Sequence, residues 1–308
     1  MKIVYMGTPA FAVPALKAIF DKGFQIPLVI SQMDKPKGSG NKLQPTPVKE
    51  LAINLGLTVH QPENVNDAET IDMLKSIEPD FIIVAAYGQI LKEELLKIPR
   101  YDCLNIHASI LPRYRGAAPI NWAVINGESI SGVTIMKMEK GLDTGPIVLM
   151  AETQIDDEDT AEELHDRLSV LGAELIVRAI DDIIKGEASY IPQDHGESSY
   201  APMLYKNTGR IDWSKPSDKI RNMIRGLIPW PNAFSFYKGE RVRILKADSI
   251  KQNHNIQPGT IVKADKDGIK VAAGDGFVII KELQFPNKKP MGVSAFLLGN
   301  KIEEGYVL

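Results

Sequence analysis

Cysteine is almost absent. Cys103 is the single cysteine in 308 residues, which excludes an internal disulfide and any cysteine-rich metal site. Long apolar runs are missing too: nothing approaches the roughly 20 consecutive apolar residues of a membrane span. The opening MKIVYMGTPA holds one lysine and passes straight into a strand-like segment. It lacks the apolar stretch and small-residue cleavage site of a secretory leader, so the expected address is the cytoplasm. Glycine-rich phosphate loops are also lacking. The first strand is followed by Gly7-Thr8-Pro9-Ala10-Phe11, with one glycine where a dinucleotide fingerprint has three, and no GxxxxGK[ST] occurs. NAD-dependent and P-loop chemistry are therefore set aside.

What is present is the composition of a folded protein, 44% hydrophobic and 24% charged, in a chain longer than one core usually serves. Two domains are expected. The net charge of −3 hides a split: residues 204–308 carry 18 Lys+Arg against 10 Asp+Glu, whereas residues 1–203 carry 18 against 29. The balances are +8 and −11. A basic module joined to an acidic one points to a polyanion partner for the basic end, although two halves that merely offset each other would show the same split.

The first half alternates strand and helix signals. Lys2–Met6 reads as a buried strand, and Phe11 to Lys22 keeps helical apolar spacing up to Gly23. Pro27–Ser31 and Thr58–His60 are expected strands; Val48–Leu55 and Asp67–Ile77 are expected helices, the second stopped by Pro79. Phe81–Ala86 has the apolar run of a central parallel strand covered on both faces. Cys103–His107, Val133–Met138 and Ile147–Ile155 complete the strands, and a capping box of Thr160 and Glu163 opens a helix that lasts to Gly186. This alternation predicts an α/β domain with an open, mostly parallel sheet over residues 1–186. Periodicity fades over residues 187–209, read as a linker. In residues 210–308 one helix, Pro216 to Arg225, precedes short strands at Phe234–Tyr237, Arg241–Ala247, Gly259–Lys263, Ile269–Ala273 and Phe277–Phe285. Turns such as Lys238-Gly239 and Asp267-Gly268 suit hairpins, and an OB-like β-barrel is expected.

Chemistry concentrates between Cys103 and Pro119. Asn105 and His107 are two apart on a strand and share a face, at the strand end where open α/β sheets hold their sites. Acyl transfer to an amine needs fixed donors for a developing oxyanion and a carrier for the amine's proton; an amide and an imidazole supply both. A pair that only satisfies backbone groups near a sheet edge would look the same. Asp143, in Lys140-Gly141-Leu142-Asp143-Thr144-Gly145, could orient an imidazole, or it could simply be a turn residue.

Taken together, Asn105-x-His107, then Ser109-Ile110-Leu111-Pro112-Arg113-Tyr114-Arg115-Gly116, then Gly141-Leu142-Asp143-Thr144-Gly145, resemble the folate-dependent formyltransferase family. The resemblance extends over essentially the whole chain. It implies a Rossmann-like formyltransferase domain with catalytic Asn105, His107 and Asp143, and 10-formyltetrahydrofolate as formyl donor, with no metal. It also implies folate contact by Ser109, Ile110, Leu111 and Pro112, by Tyr87, Gly88, Gln89, Ile90 and Leu91 in the Ala86–Leu91 loop, and by Gly141 and Leu142.

Several members share that domain, acting on different amines. The opening KIVYMGTPAFAVPAL, with Asp34-Lys35-Pro36 and Thr46-Pro47-Val48-Lys49, is similar to the branch that formylates methionine on initiator tRNA. Between these marks lies a loop with Lys35, Lys37, Lys42 and Lys49, glycines 38 and 40, and no acidic residue. Such a loop can track phosphates or be an ordinary solvated loop. The resemblance implies that it meets the acceptor stem, and the expected tRNA-binding residues are Lys35, Lys37, Lys42, Arg113 and Arg115. The basic C-terminal domain fits the same partner. A formyltransferase acting on an amino-sugar nucleotide is the alternative. A monomer is expected.

Other residues carry less. Trp230, between Pro229 and Pro231, could stack on a nucleotide or serve packing. Arg221 and Arg225 share a helix face and could meet phosphate or water. His60, His165, His195 and His254 lack metal-site spacing and read as structural or surface residues.

Overall fold

The computed structural model describes residues 1–37 and 42–308. The two expected loop glycines and the side chains of Lys37 and Lys42 lie outside the described residues. Through the first half the elements are β1 (Lys2–Gly7), α1 (Val13–Asp21), β2 (Gln25–Ile30), β3 (Lys35–Lys37), β4 (Lys42–Gln44), α2 (Pro47–Asn54), β5 (Val59–His60), α3 (Ala68–Ile77), β6 (Phe81–Ala85), α4 (Glu93–Leu96) and β7 (Asp102–His107). There follow β8 (Arg115–Gly116), α5 (Pro119–Asn126), β9 (Ile130–Lys137), β10 (Ile147–Gln154), α6 (Ala161–Lys185) and β11 (Tyr200–Ala201). The last stretch holds α7 (Ser217–Gly226), β12 (Ala233–Tyr237), β13 (Glu240–Lys251), β14 (Ile261–Asp265), β15 (Gly268–Ala272), β16 (Gly276–Gln284), β17 (Met291–Gly292) and α8 (Val293–Leu297). Among the described residues no helix is long and apolar enough to cross a membrane.

Compactness divides the chain into two units. The first comprises Met1–Gly116, Ile130–Thr153 and His165–Ala201; the second comprises Ala117–Ser129, Gln154–Leu164 and Pro202–Leu308. The first is built on a seven-stranded sheet of order β10-β9-β7-β6-β1-β2-β5. The β1–β2, β1–β6, β2–β5 and β6–β7 pairs are parallel, and β9 runs antiparallel to β7. All five residues of β6 are buried, as a strand covered on both faces requires. Local signals set the helix starts: Thr46 accepts from Lys49 N at 3.2 Å ahead of α2, and Asp67 accepts from Thr70 N at 2.7 Å ahead of α3. The β3–β4 hairpin pairs Lys35 with Gln44 and Lys37 with Lys42; sequence periodicity does not predict it.

The second unit carries an antiparallel sheet of order β12-β13-β16-β15-β14, with β17 on β16. The expected barrel is not closed: among the described residues β12 and β14 remain separate edges. Helix α7 buries Ile220 and Ile224 and packs against both β13 and α5. The α5–α7 approach is close. A Cβ on Gly226 would lie 2.6 Å from Ile125 Cγ1 and 3.0 Å from Ile125 N, so only glycine fits there.

Candidate active site

The parallel pairing of β6 with β7 sets Val84 beside Asn105, so the loop leaving β6 starts beside the end of β7 that carries Asn105 and His107. His107 is 5% exposed and Asn105 half-buried. His107 Nε2 lies 3.0 Å from the carbonyl oxygen of Tyr114. A carbonyl only accepts, so Nε2 carries the hydrogen, and in the neutral ring Nδ1 is the bare nitrogen. That nitrogen faces Asp143, with Oδ2 at 3.7 Å. Asn105 Nδ2 donates to Asp143 Oδ1 at 3.4 Å, which uses one of its two N–H groups.

Asp143 reaches this place by a detour. Because β9 is antiparallel to β7, Lys137 at its end pairs with Leu104, and the following loop must turn back along β7 to reach Asn105. Asp143 sits at a positive φ of 52° in that loop. Two further groups hold it. Gly116 N donates to its Oδ2 at 2.9 Å, and Gln193 Nε2 donates to its carbonyl at 2.9 Å. Gly116 takes φ 113°, and a Cβ there would lie 2.6 Å from the Tyr200 ring, so a glycine is required for this N–H to be presented.

Tyr114, Gly116 and Gln193 are the site residues that sequence reasoning misses. The first two act through backbone groups and leave no side-chain signature. Gln193 lies in the segment read as a linker.

The expected folate residues divide by exposure. Ile90 is 82% and Leu142 53% exposed, two apolar side chains left open on loops that border the site strand. Tyr87, Leu91, Ser109 and Leu111 are buried. Ser109 Oγ donates to Arg113 O at 2.7 Å, and Gln89 is spent on Val65 N at 2.8 Å and Glu63 O at 3.2 Å. Ile110 and Pro112 are half-buried. Any ligand contact by the buried members is therefore through their backbone. Burial, with Asp67 adding, pushes the Tyr87 phenol up to about 12, so it stays a neutral group. Gly88 (φ 96°) and Gly141 (φ 149°) are both in conformations that favour glycine.

The expected tRNA residues also divide. Lys35 is exposed. Lys49 pairs with Asp34 at 2.6 Å and donates to Gln61 at 2.7 Å, so its charge is used at the base of the hairpin. The Arg113 guanidinium lies 5.4 Å from the Tyr114 ring. Arg115 donates to Gln193 Oε1 from Nε at 3.1 Å and Nη2 at 2.6 Å, and Nη2 lies 3.0 Å from His195 Nδ1. Its side chain serves the architecture of the site. Arg221 pairs with Asp157 at 3.0 Å and Glu158 at 2.5 Å, and Arg225 donates to Asp159 O at 2.8 Å; neither is a free phosphate ligand. Trp230 is half exposed. His60, His165 and His254 each have a local partner.

The single thiol, Cys103, is buried, and that burial, with Asp102 adding, pushes it far above its ordinary range.

Comparison with known proteins adds the context. The family profile described as "Formyl transferase" matches residues 1–180, and "Formyl transferase, C-terminal domain" matches residues 203–301. A methionyl-tRNA formyltransferase of Alkaliphilus oremlandii (strain OhILAs) is 48% identical over 308 residues, covering 100% of this chain and 99% of that protein. One of Clostridium tetani (strain Massachusetts / E88) is 49% identical over 309 residues, covering 100% and 99%. Among solved structures, WlaRD, a sugar 3N-formyl transferase in the presence of dTDP and 5-N-formyl-THF, superposes with a TM-score of 0.69 at 26% identity. It covers 94% of this chain and 99% of that one.

Proposed function

The chain belongs to the formyltransferase family, and on that premise we propose the reaction it performs. It transfers the formyl group of 10-formyltetrahydrofolate to the free amino group of methionine on initiator methionyl-tRNA, the step that prepares this tRNA for translation initiation. The observation that carries the chemistry is the convergence of Asn105 Nδ2 and His107 Nδ1 on Asp143, at 3.4 and 3.7 Å. Identity of 48–49% along the full length to methionyl-tRNA formyltransferases carries the substrate.

The chain's residues then have the following work. The amine attacks the formyl carbon, and the oxygen of that carbon gains negative charge. The second N–H of Asn105 is free to stabilise that oxygen. His107 Nδ1 takes the proton that the amine loses, and Asp143 Oδ2 stabilises the resulting imidazolium. The same proton then passes to N10 of the folate as the N10–carbon bond breaks. The products are formyl-methionyl-tRNA and tetrahydrofolate. Folate is assigned to the backbone of Tyr87–Leu91 and Ser109–Pro112, to Gly141, and to the exposed Ile90 and Leu142. Catalysis is assigned to residues 1–186, and tRNA holding to Lys35, Lys37 and Lys42 and to residues 210–308. The cytoplasm is the matching address.

One face of the C-terminal sheet supports the last assignment. In the β12–β13 pair Phe234 stands opposite Arg243 and Phe236 opposite Arg241. The Arg241 guanidinium lies 3.6 Å from the centre of the Phe234 ring, and Arg210 lies 5.9 Å from that of Phe236. Arg241 Nε is buried without a partner, and burial together with Arg243 holds its guanidinium below the ordinary value. A phosphate here would relieve the like-charge repulsion between Arg241 and Arg243.

The test is formyl transfer from 10-formyltetrahydrofolate to methionine-charged initiator tRNA, run beside uncharged tRNA and an amino-sugar nucleotide. Formyl-methionyl-tRNA is expected. Transfer to the sugar alone, or release of formate alone, would overturn the substrate.

A further inference from the structure

Residues 191–201 form a strap across the two loops that carry the site. Ile191 bridges to Ile147, Ser199 Oγ accepts from Tyr114 N at 2.9 Å, and β11 pairs with β8. Gln193 is the buried centre of this strap, 7% exposed. Its amide N–H groups donate to the carbonyls of Asp143 at 2.9 Å and Gly145 at 2.7 Å. Its oxygen accepts twice from Arg115, at 3.1 and 2.6 Å. An amide side chain has two donors and two lone pairs, so all four capacities are spent inside the protein and none remains for a substrate.

These bonds close a ring. Gln193 holds Asp143 by its backbone and Arg115 by its side chain. The residue after Arg115 is Gly116, whose N–H grips the Asp143 carboxylate at 2.9 Å. Asp143 has a positive φ of 52°, a region that a non-glycine residue keeps only when its surroundings enforce it. The loop it belongs to has also turned back against the direction of β9.

We propose that Gln193 is a positioning residue for the transfer reaction, fixing the Asp143 loop so that the carboxylate faces His107 Nδ1 and Asn105 Nδ2. The inference rests on the roles given to Asp143 and His107 above. It gives Gln193 a part in the reaction that the irregular sequence around it conceals, through groups that never touch substrate.

Gln193→Met and Gln193→Glu test it from two sides. Methionine keeps the shape and removes all four bonds. Glutamate keeps the acceptor for Arg115 but has no N–H for the Asp143 and Gly145 carbonyls. Both variants should lower kcat by ~10- to 100-fold, with KM for folate and for tRNA within about twofold of wild type, as for a displaced catalytic group. Ser198→Ala removes a bond within the same strap, to His195 O at 2.8 Å, and should leave kcat unchanged. In an Asp143→Asn background Gln193→Met should cost little more, because both act through one carboxylate. Full kcat in Gln193→Glu, a loss confined to KM, or an undiminished loss in the Asp143→Asn background would each overturn the proposal. If Gln193→Met fails to fold, Gln193→Glu alone decides. An inactive wild-type protein would instead overturn the proposed function.

Discussion

The site around β7 and the face of β12–β13 handle charge in opposite ways. Around β7 the polar groups are buried or half-buried and bonded to their neighbours: Nε2 of His107 to Tyr114, both oxygens of Asp143 to Asn105 and Gly116, and every capacity of Gln193 to Asp143, Gly145 and Arg115. On β12–β13, arginines stand between phenylalanines with a donor left over. Satisfied buried groups fix geometry, which a chemical step needs. Cations on a surface attract a polyanion wherever its phosphates fall, which holding a large substrate needs. One region is built for direction and the other for adhesion.

Breaking the first region should cost most. His107→Ala should lower kcat by about 10²–10⁴-fold with tRNA binding retained, read by steady-state kinetics beside a filter-binding titration; near-normal turnover would dismiss the assigned role. Breaking the second should act on binding alone. Arg241→Ala with Arg243→Ala should weaken tRNA binding roughly tenfold and flatten the slope of log Kd against log salt by about 2. Folate affinity should not move, and an unchanged salt slope would remove this face from the tRNA path.

A third variant asks whether the C-terminal unit depends on its packing against α5. Gly226→Ala gains up to about 1 kcal/mol of helix propensity, but the added Cβ meets Ile125 N at 3.0 Å and Asn121 O at 3.2 Å. Backbone cannot yield cheaply, so overpacking of about 1–3 kcal/mol should win and the unit's melting temperature should fall. A rise would mean that the two helices part easily.

The smallest effect concerns the foot of the hairpin. The hydrogen bond from Lys49, aided by Gln61, holds the Asp34 carboxyl below its ordinary value. A depressed carboxyl adds stability above its unfolded pKa, and that contribution is lost as pH falls through the folded value. Asp34→Asn should therefore melt lower than wild type near neutrality, with the gap closing below about pH 4. A gap constant with pH would show that the ion pair adds nothing.

The parts of this molecule legible in its sequence are those whose neighbours in sequence are also their context. The apolar run of β6, the alternation that sets Asn105 and His107 on one face, and the Thr46 and Asp67 caps all announce themselves locally. What stayed hidden depends on distant partners. Gln193 and Arg115 are 78 positions apart, and no periodicity in residues 187–209 could disclose that bond. The barrel expectation failed to close for a related reason: hairpin turns specify which strands neighbour in order, and say nothing about whether the first and last edges meet. The motif around Arg115 likewise gives no hint that its guanidinium is bonded to the amide of Gln193.

Helix α5 carries a consequence for how the chain is made. Asn121 Nδ2 bonds to Gly226 O across 105 positions, so α5 leaves the ribosome well before the helix that covers it. At roughly 5–20 residues per second, it waits about 5–20 s while much of the first unit emerges after it. The N-terminal unit can finish folding in that interval, and the C-terminal one cannot begin until its early pieces are rejoined. Nascent chains stalled short of Gly226 should be cut by protease within α5, and chains released beyond the last strand should resist.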